Sequence, residues 1–160
     1  MYFDTETTGT DTKTSRPVTL GIKSKTGKKD YILDYGNDDT TAENLLSAMI
    51  LKDNGKLIDS SKQLRDLFGI SKDLDLTSNK DSSLSLIKEK LKEKRENGEL
   101  FDADKIADIM IDEMQKSGRG SKLKGFNTPF DVAMIKNFLK DSASISPDKK
   151  AKLEKLLGNA

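Results

Sequence analysis

An α/β domain is what the sequence predicts, and three patterns predict it. Residues 17–23 alternate, with Val18, Leu20 and Ile22 on one side and Thr19, Gly21 and Lys23 on the other, the period of two that marks a strand. A second such stretch, Asp30 to Tyr35, carries Tyr31, Leu33 and Tyr35, and Lys25-Thr26-Gly27-Lys28 between the two reads as a turn, so together they form an antiparallel hairpin. From Gly36 onward the apolar spacing widens to the helical period, and flanking helices take over. No internal repeat and no linker divides the 160 residues, which suffice for one core; a single domain over 1–160 is expected.

The elements follow in order. Only three residues precede Asp4, so the first strand is expected to be cut short, with a turn at Thr8-Gly9-Thr10. After the hairpin, a helix capped by Thr40 or Thr41 presents Leu45, Leu46, Met49 and Ile50 on one face, and a second covers Ser61 to Phe68. Residues 71–83 are polar and patternless, a surface loop. The charged helix that follows has a narrow stripe of Leu84, Ile87 and Leu91. Its Lys and Arg are interleaved with Glu89, Glu93 and Glu96, which reads as a solvated face rather than a grip on nucleic acid. Next come a helix from Asp102 to Lys116 burying Ile106, Ile109, Met110 and Met114, a short strand from Lys122 to Phe126, and a helix from Pro129 to Lys140. The last helix is well punctuated, with Ser146 as N-cap, Pro147 in the first turn and Gly158 at the stop.

Composition narrows the chemistry. Hydrophobic residues make up 34%, so the core is expected to be thin. The 28 basic and 27 acidic residues nearly cancel, and any binding to nucleic acid must therefore be local rather than driven by a global field. Lys outnumbers Arg 24 to 4, favouring point-charge over bidentate phosphate contacts. The absence of Cys excludes disulfides and thiolate zinc sites. The longest apolar run, Ala48 to Leu51, cannot span a bilayer, and no secretion signal precedes the first strand; the expectation is a soluble cytoplasmic protein.

The chemistry is concentrated in two segments. In Phe3-Asp4-Thr5-Glu6-Thr7-Thr8-Gly9 a strand would turn Asp4 and Glu6 to one face and Phe3 and Thr5 to the other. Two carboxylates that close are costly unless neutralised, and a divalent cation with oxygen ligands is the usual remedy. In Gly125-Phe126-Asn127-Thr128-Pro129-Phe130-Asp131 a third acid, Asp131, stands in the first turn of a helix, where three acids together could hold two metal ions. Each segment also has a plain structural reading: a strand running into a turn, and a capping box with Thr128 as N-cap and Pro129 behind it.

In that order, F-D-T-E-T-T-G and N-T-P-F-D resemble the first two motifs of the DnaQ-like, or DEDD, family of 3′–5′ exonucleases. The resemblance implies a ribonuclease H-like mixed sheet that opens with three antiparallel strands. It also implies metal-dependent hydrolysis of nucleic acid, DNA ahead of RNA, to nucleoside monophosphates, in proofreading or repair. By resemblance, Asp4, Glu6 and Asp131 would be catalytic and bind two Mg²⁺ or Mn²⁺ ions, while Thr5, Thr7, Asn127 and Phe130 would contact the terminal nucleotide. The partner would be the 3′ end of a single strand, with a DNA polymerase as a candidate second partner. The long interval between Asp4 and Asp131 places a helical insertion around residues 71–101. The family's third motif, an Asp preceded by His or Tyr, has no counterpart: there is no His, and Tyr2, Tyr31 and Tyr35 all precede Asp131. The expectation is therefore a partial domain, incomplete at both ends, with weak or no activity. A non-catalytic nucleic-acid-binding relative of the same fold is the alternative. Asp4-x-Glu6-x-Thr8 also looks like a variant of the D-x-D-x-T signature of haloacid dehalogenase-like phosphatases, in which Asp4 would be a nucleophile.

Overall fold

The computed structural model describes residues 2–25, 27–116, 128–143 and 145–158. Strands β1 (Tyr2–Thr7), β2 (Pro17–Ser24) and β3 (Gly27–Asp34) form an antiparallel meander, and a short strand β6 (Leu100–Asp102) adds to β3 in parallel, giving the order β1-β2-β3-β6. Between β3 and β6 lie α1 (Asp38–Met49), a small hairpin of β4 (Lys52–Asp53) and β5 (Lys56–Leu57), α2 (Asp59–Leu67) and α3 (Lys80–Glu96). After β6 come α4 (Ala103–Lys116), α5 (Thr128–Asp141) and α6 (Pro147–Gly158). The chain is thus a mixed α/β protein whose four-stranded sheet carries helices on both faces.

Strand alternation assigns the faces. Phe3, Leu20, Ile22 and Leu33 point to one side and bury against Ile106 and Met110 of α4, Ile135 and Phe138 of α5, and Leu153 and Leu157 of α6. Ile32 points to the other side, where Leu45 and Met49 of α1, Leu64 of α2, and Ile87 and Leu91 of α3 close a second cluster. The parallel β3–β6 register carries both patterns onward, since Ile32 lies beside Leu100 in the second cluster and Leu33 beside Phe101 at the first.

The first helix shows how these elements are held. It begins at Asp38, one turn before the expected Thr cap, because the Asn37 side chain accepts from the Thr40 backbone N–H at 3.2 Å. Thr41 is instead inside the helix, where its hydroxyl accepts from the Tyr35 N–H at 3.0 Å. The last turn has no basic residue of its own. Its orphan carbonyls are met from α2: Ser61 Oγ donates to Ala48 O at 2.6 Å, and Arg65 Nε donates to Met49 O at 2.9 Å. Arg65 is buried, and its Nη1 also donates to Ser71 O and Leu74 O, pinning the loop that follows α2.

Several boundaries differ from expectation for identifiable reasons. The first strand is of ordinary length, because it runs through Asp4, Thr5 and Glu6 to Thr7. The polar loop ends at Asn79, which caps α3 through a bond from the Ser82 N–H, four residues before Ser83. Residues 71–101 are not peripheral to packing: Leu76, Ile87, Leu91 and Leu100 belong to the second cluster. The hairpin β4–β5 and strand β6 are additions to the expected plan. The strand expected at 122–126 lies outside the described residues.

Candidate functional site

β1 delivers the first motif, and its parity decides what each residue meets. Asp4 and Glu6 share a face, as expected. Asp4 pairs with Gly21 of β2, which pairs in turn with Asp30 of β3. Gly21 has no side chain to separate the two acids. A Cβ there would stand 2.5 Å from Asp4 Oδ1 and 2.8 Å from Asp30 Oδ1, so both carboxylates lean into the space that the glycine leaves. Lys28 Nζ lies 3.9 Å from Asp30 Oδ1 on the same face. Glu6 sits next along, opposite Thr19. Partial burial raises its pKa, and the charges of Asp30 and Asp4 add to that, while the Thr19 hydroxyl and Lys28 work in the opposite sense.

Thr5 and Phe3 take the other face, the one that α5 covers. Here the second motif arrives. Thr5 Oγ1 donates to Asp131 Oδ1 at 3.0 Å, a bond across 126 residues of sequence, and Asp131 is only 4% exposed. The acid of the second motif therefore meets the residue between the two acids of the first. Phe130 is half-buried in the same turn of α5, and Asn127 lies outside the described residues. Thr7 ends β1 at a bulge and donates to Gly9 O at 2.6 Å, shaping the turn.

The loop after the first motif is fastened to α5 as well. Asn137 Nδ2 donates to Thr12 O at 2.9 Å and Ser15 O at 3.0 Å. Arg16 pairs with Asp141 at the end of the helix. Below them Tyr35 donates to Pro17 O at 2.6 Å and stacks edge-on against Phe138 at 5.0 Å. These residues make β1, its loop and α5 one connected unit. Asp30 and Asn137 were not among the expected site residues, nor was Asp141, which follows Asp131 as the next acid but has no Tyr or His upstream at the spacing of a third motif. Hairpin register was a usable signal for Asp30, since parity puts it on the side of Asp4; nothing local marks the other two.

The expected metal centre is not assembled by this geometry. Asp4 and Glu6 lie on one side of β1 and the bond to Asp131 on the other, and no group of three or more acidic side chains among the described residues is arranged to hold a metal ion. Nor is any helix among the described residues long and apolar enough to cross a membrane. No family model matches this chain, and neither does any curated protein or solved structure.

Proposed function

We propose that the chain is a ribonuclease H-like domain related to the DnaQ-like 3′–5′ exonucleases, acting in the cytoplasm on the 3′ end of a single nucleic-acid strand. One observation carries the reading. The Thr5–Asp131 bond brings together the two segments whose sequences resemble the family's motifs, although 126 residues separate them. The antiparallel β1–β2–β3 meander that opens the sheet agrees with the fold the resemblance implies. Mg²⁺ or Mn²⁺ is the expected cofactor, with Asp4 and Glu6 as the paired carboxylates. Asp131 bonds to Thr5 on the other side of the strand and so does not join that pair. That separation favours the non-catalytic relative as the second reading: a domain that holds a nucleic-acid end without cleaving it.

Release of mononucleotides from a 3′-labelled single-stranded oligonucleotide, with Mn²⁺ or Mg²⁺, decides between them. An exonuclease loses activity in Asp4→Ala, in Asp131→Ala and in EDTA alike. No release, with oligonucleotide binding retained, selects the non-catalytic reading. Neither release nor binding refutes both.

A further inference from the structure

A concavity built from none of the motif residues lies between the β4–β5 hairpin, α2 and the loop after α2; its volume is about 470 Å³. We propose that it binds a phosphorylated ligand with more than one phosphate group.

The walls are cationic. The hairpin brings Lys52 and Lys56 to the rim through a tight turn in which Asn54 (φ 52°) and Gly55 (φ 77°) are both left-handed, the geometry that two-residue hairpin loops require. α2 contributes Lys62 and Arg65, three residues apart and so on one helical face. Lys72 completes the set from the loop. Of these five, only Lys72 has an ion pair among the described residues, with Asp66 outside the cavity at 3.4 Å. Asp73 and Asp75 are the acids of the wall; Asp75, held ionised by the N–H and hydroxyl of Thr77, acts on Lys52 and Arg65 and offsets part of their charge. Five cations against two acids leave an excess of positive charge around one concave space, which favours an anion there.

Solvated lysines are common in this lysine-rich chain, but two features separate this cavity from an ordinary charged surface. Arg65 is buried at 3% exposure, with Nε and Nη1 fixed by backbone carbonyls while Nη2 donates to no protein acceptor among the described residues. A rigid guanidinium with a spare donor edge is the group best suited to phosphate oxygens. The volume, within the range of small-molecule sites of roughly 300–1,000 Å³, leaves room for more than one phosphate group. The ligand's source, a free polyphosphate or nucleotide on one hand and a nucleic-acid backbone on the other, is left to the test. The inference does not depend on the exonuclease reading.

The test is a titration of the ¹⁵N-labelled full chain with inorganic pyrophosphate and, separately, with a single-stranded oligonucleotide. Expected are shifts at the amides of the hairpin and of residues 62–75. Lys56→Gln/Lys62→Gln, at solvent-accessible side chains, weakens binding about tenfold, in line with the loss of charge-assisted contacts. The pyrophosphate arm reads this cavity alone, and mononucleotide release reads the motif residues alone, so failure of the nuclease reading is distinguishable from failure of this one. Response to both probes assigns the site to phosphate groups in general, and response to the oligonucleotide alone assigns it to a strand backbone. Response to pyrophosphate alone assigns it to a free polyphosphate or nucleotide, and absence of these shifts with both probes overturns the proposal. So does equal weakening in Lys92→Gln/Lys152→Gln, which removes the same charge from exposed positions outside the cavity.

Discussion

Replacing Arg65 by Met should destabilise the protein by about 3 kcal/mol, without any change at the motif residues. The side chain is buried and gives hydrogen bonds to four carbonyls: Met49 O at 2.9 Å, Ser71 O at 3.0 Å, Leu74 O at 2.7 Å and Lys72 O at a weaker 3.4 Å. Ser71, Lys72 and Leu74 are exposed, so water replaces Arg65 there; Nη1 has two hydrogens for these three carbonyls, and its bonds together contribute roughly 1 kcal/mol. Met49 is fully buried, and its carbonyl would lose a charged donor, a loss of about 1.5–3 kcal/mol. Met keeps most of the aliphatic stem, so a packing cavity adds little. Urea unfolding should move to a lower midpoint by roughly 1–2 M at an m-value of about 2 kcal/mol per M. Arg65→Lys should recover less than half, because one ammonium cannot reach both α1 and the loop. A midpoint shift below about 0.3 M at unchanged m would refute the reasoning, since it would mean that the α1 terminus does not depend on this donor.

Tyr35→Phe tests a buried phenol. Burial pushes the Tyr35 pKa far above the ordinary tyrosine range, so the folded chain keeps a proton that the unfolded chain releases above about pH 10, and stability falls as pH rises beyond that point. The variant should be about 1 kcal/mol less stable at neutral pH, through loss of the bond to Pro17 O, and should close that gap above pH ~10; parallel denaturation curves at the two pH values check both halves. Thr5→Val removes the bond to buried Asp131 and should cost about 2 kcal/mol, a fall of roughly 4–8 °C in Tm for a chain of this size. An unchanged Tm would show that the two motifs do not meet through this hydroxyl.

The parts of the fold that were legible in the sequence are those where one local signal dominates. β2 and β3 formed where expected, but Val18 does not share a side with Leu20 and Ile22: next to the irregularity at which Thr7 pairs with Pro17, it packs into the second cluster and they into the first. α6 runs from Pro147 to Gly158, the bounds that Pro in the first turn and Gly at the stop suggest. Where two residues could serve equally, the boundary moved: Asn37 took the cap expected of Thr40 or Thr41 because Thr41 was needed by the Tyr35 N–H. β6 has only three residues, too few to show a period, and exists because Ile32 and Leu33 offer it a partner. The β4–β5 turn carried an Asn-Gly signal, but its flanks are Lys and Asp rather than alternating apolar residues. At the site, parity correctly put Asp4 and Glu6 together. It could not say which face α5 would cover, and that choice, fixed by Phe3, Leu20 and Ile22 as the apolar side, is what sets Thr5 and not the acids against Asp131.

The two clusters on either side of the sheet differ in how the chain supplies them. Every buried member of the cluster under α1, α2 and α3 falls between Val18 and Leu100, an unbroken stretch, whereas the other needs Phe3 and β2 together with residues as late as Leu157. Made from the N-terminus, the chain therefore has all the parts of the second cluster as soon as Leu100 has emerged, while the face that receives Asp131 stays open until α4, α5 and α6 exist. Assembly is ordered by synthesis: the half bearing the cationic cavity can close early, and the two motifs are joined only near the end.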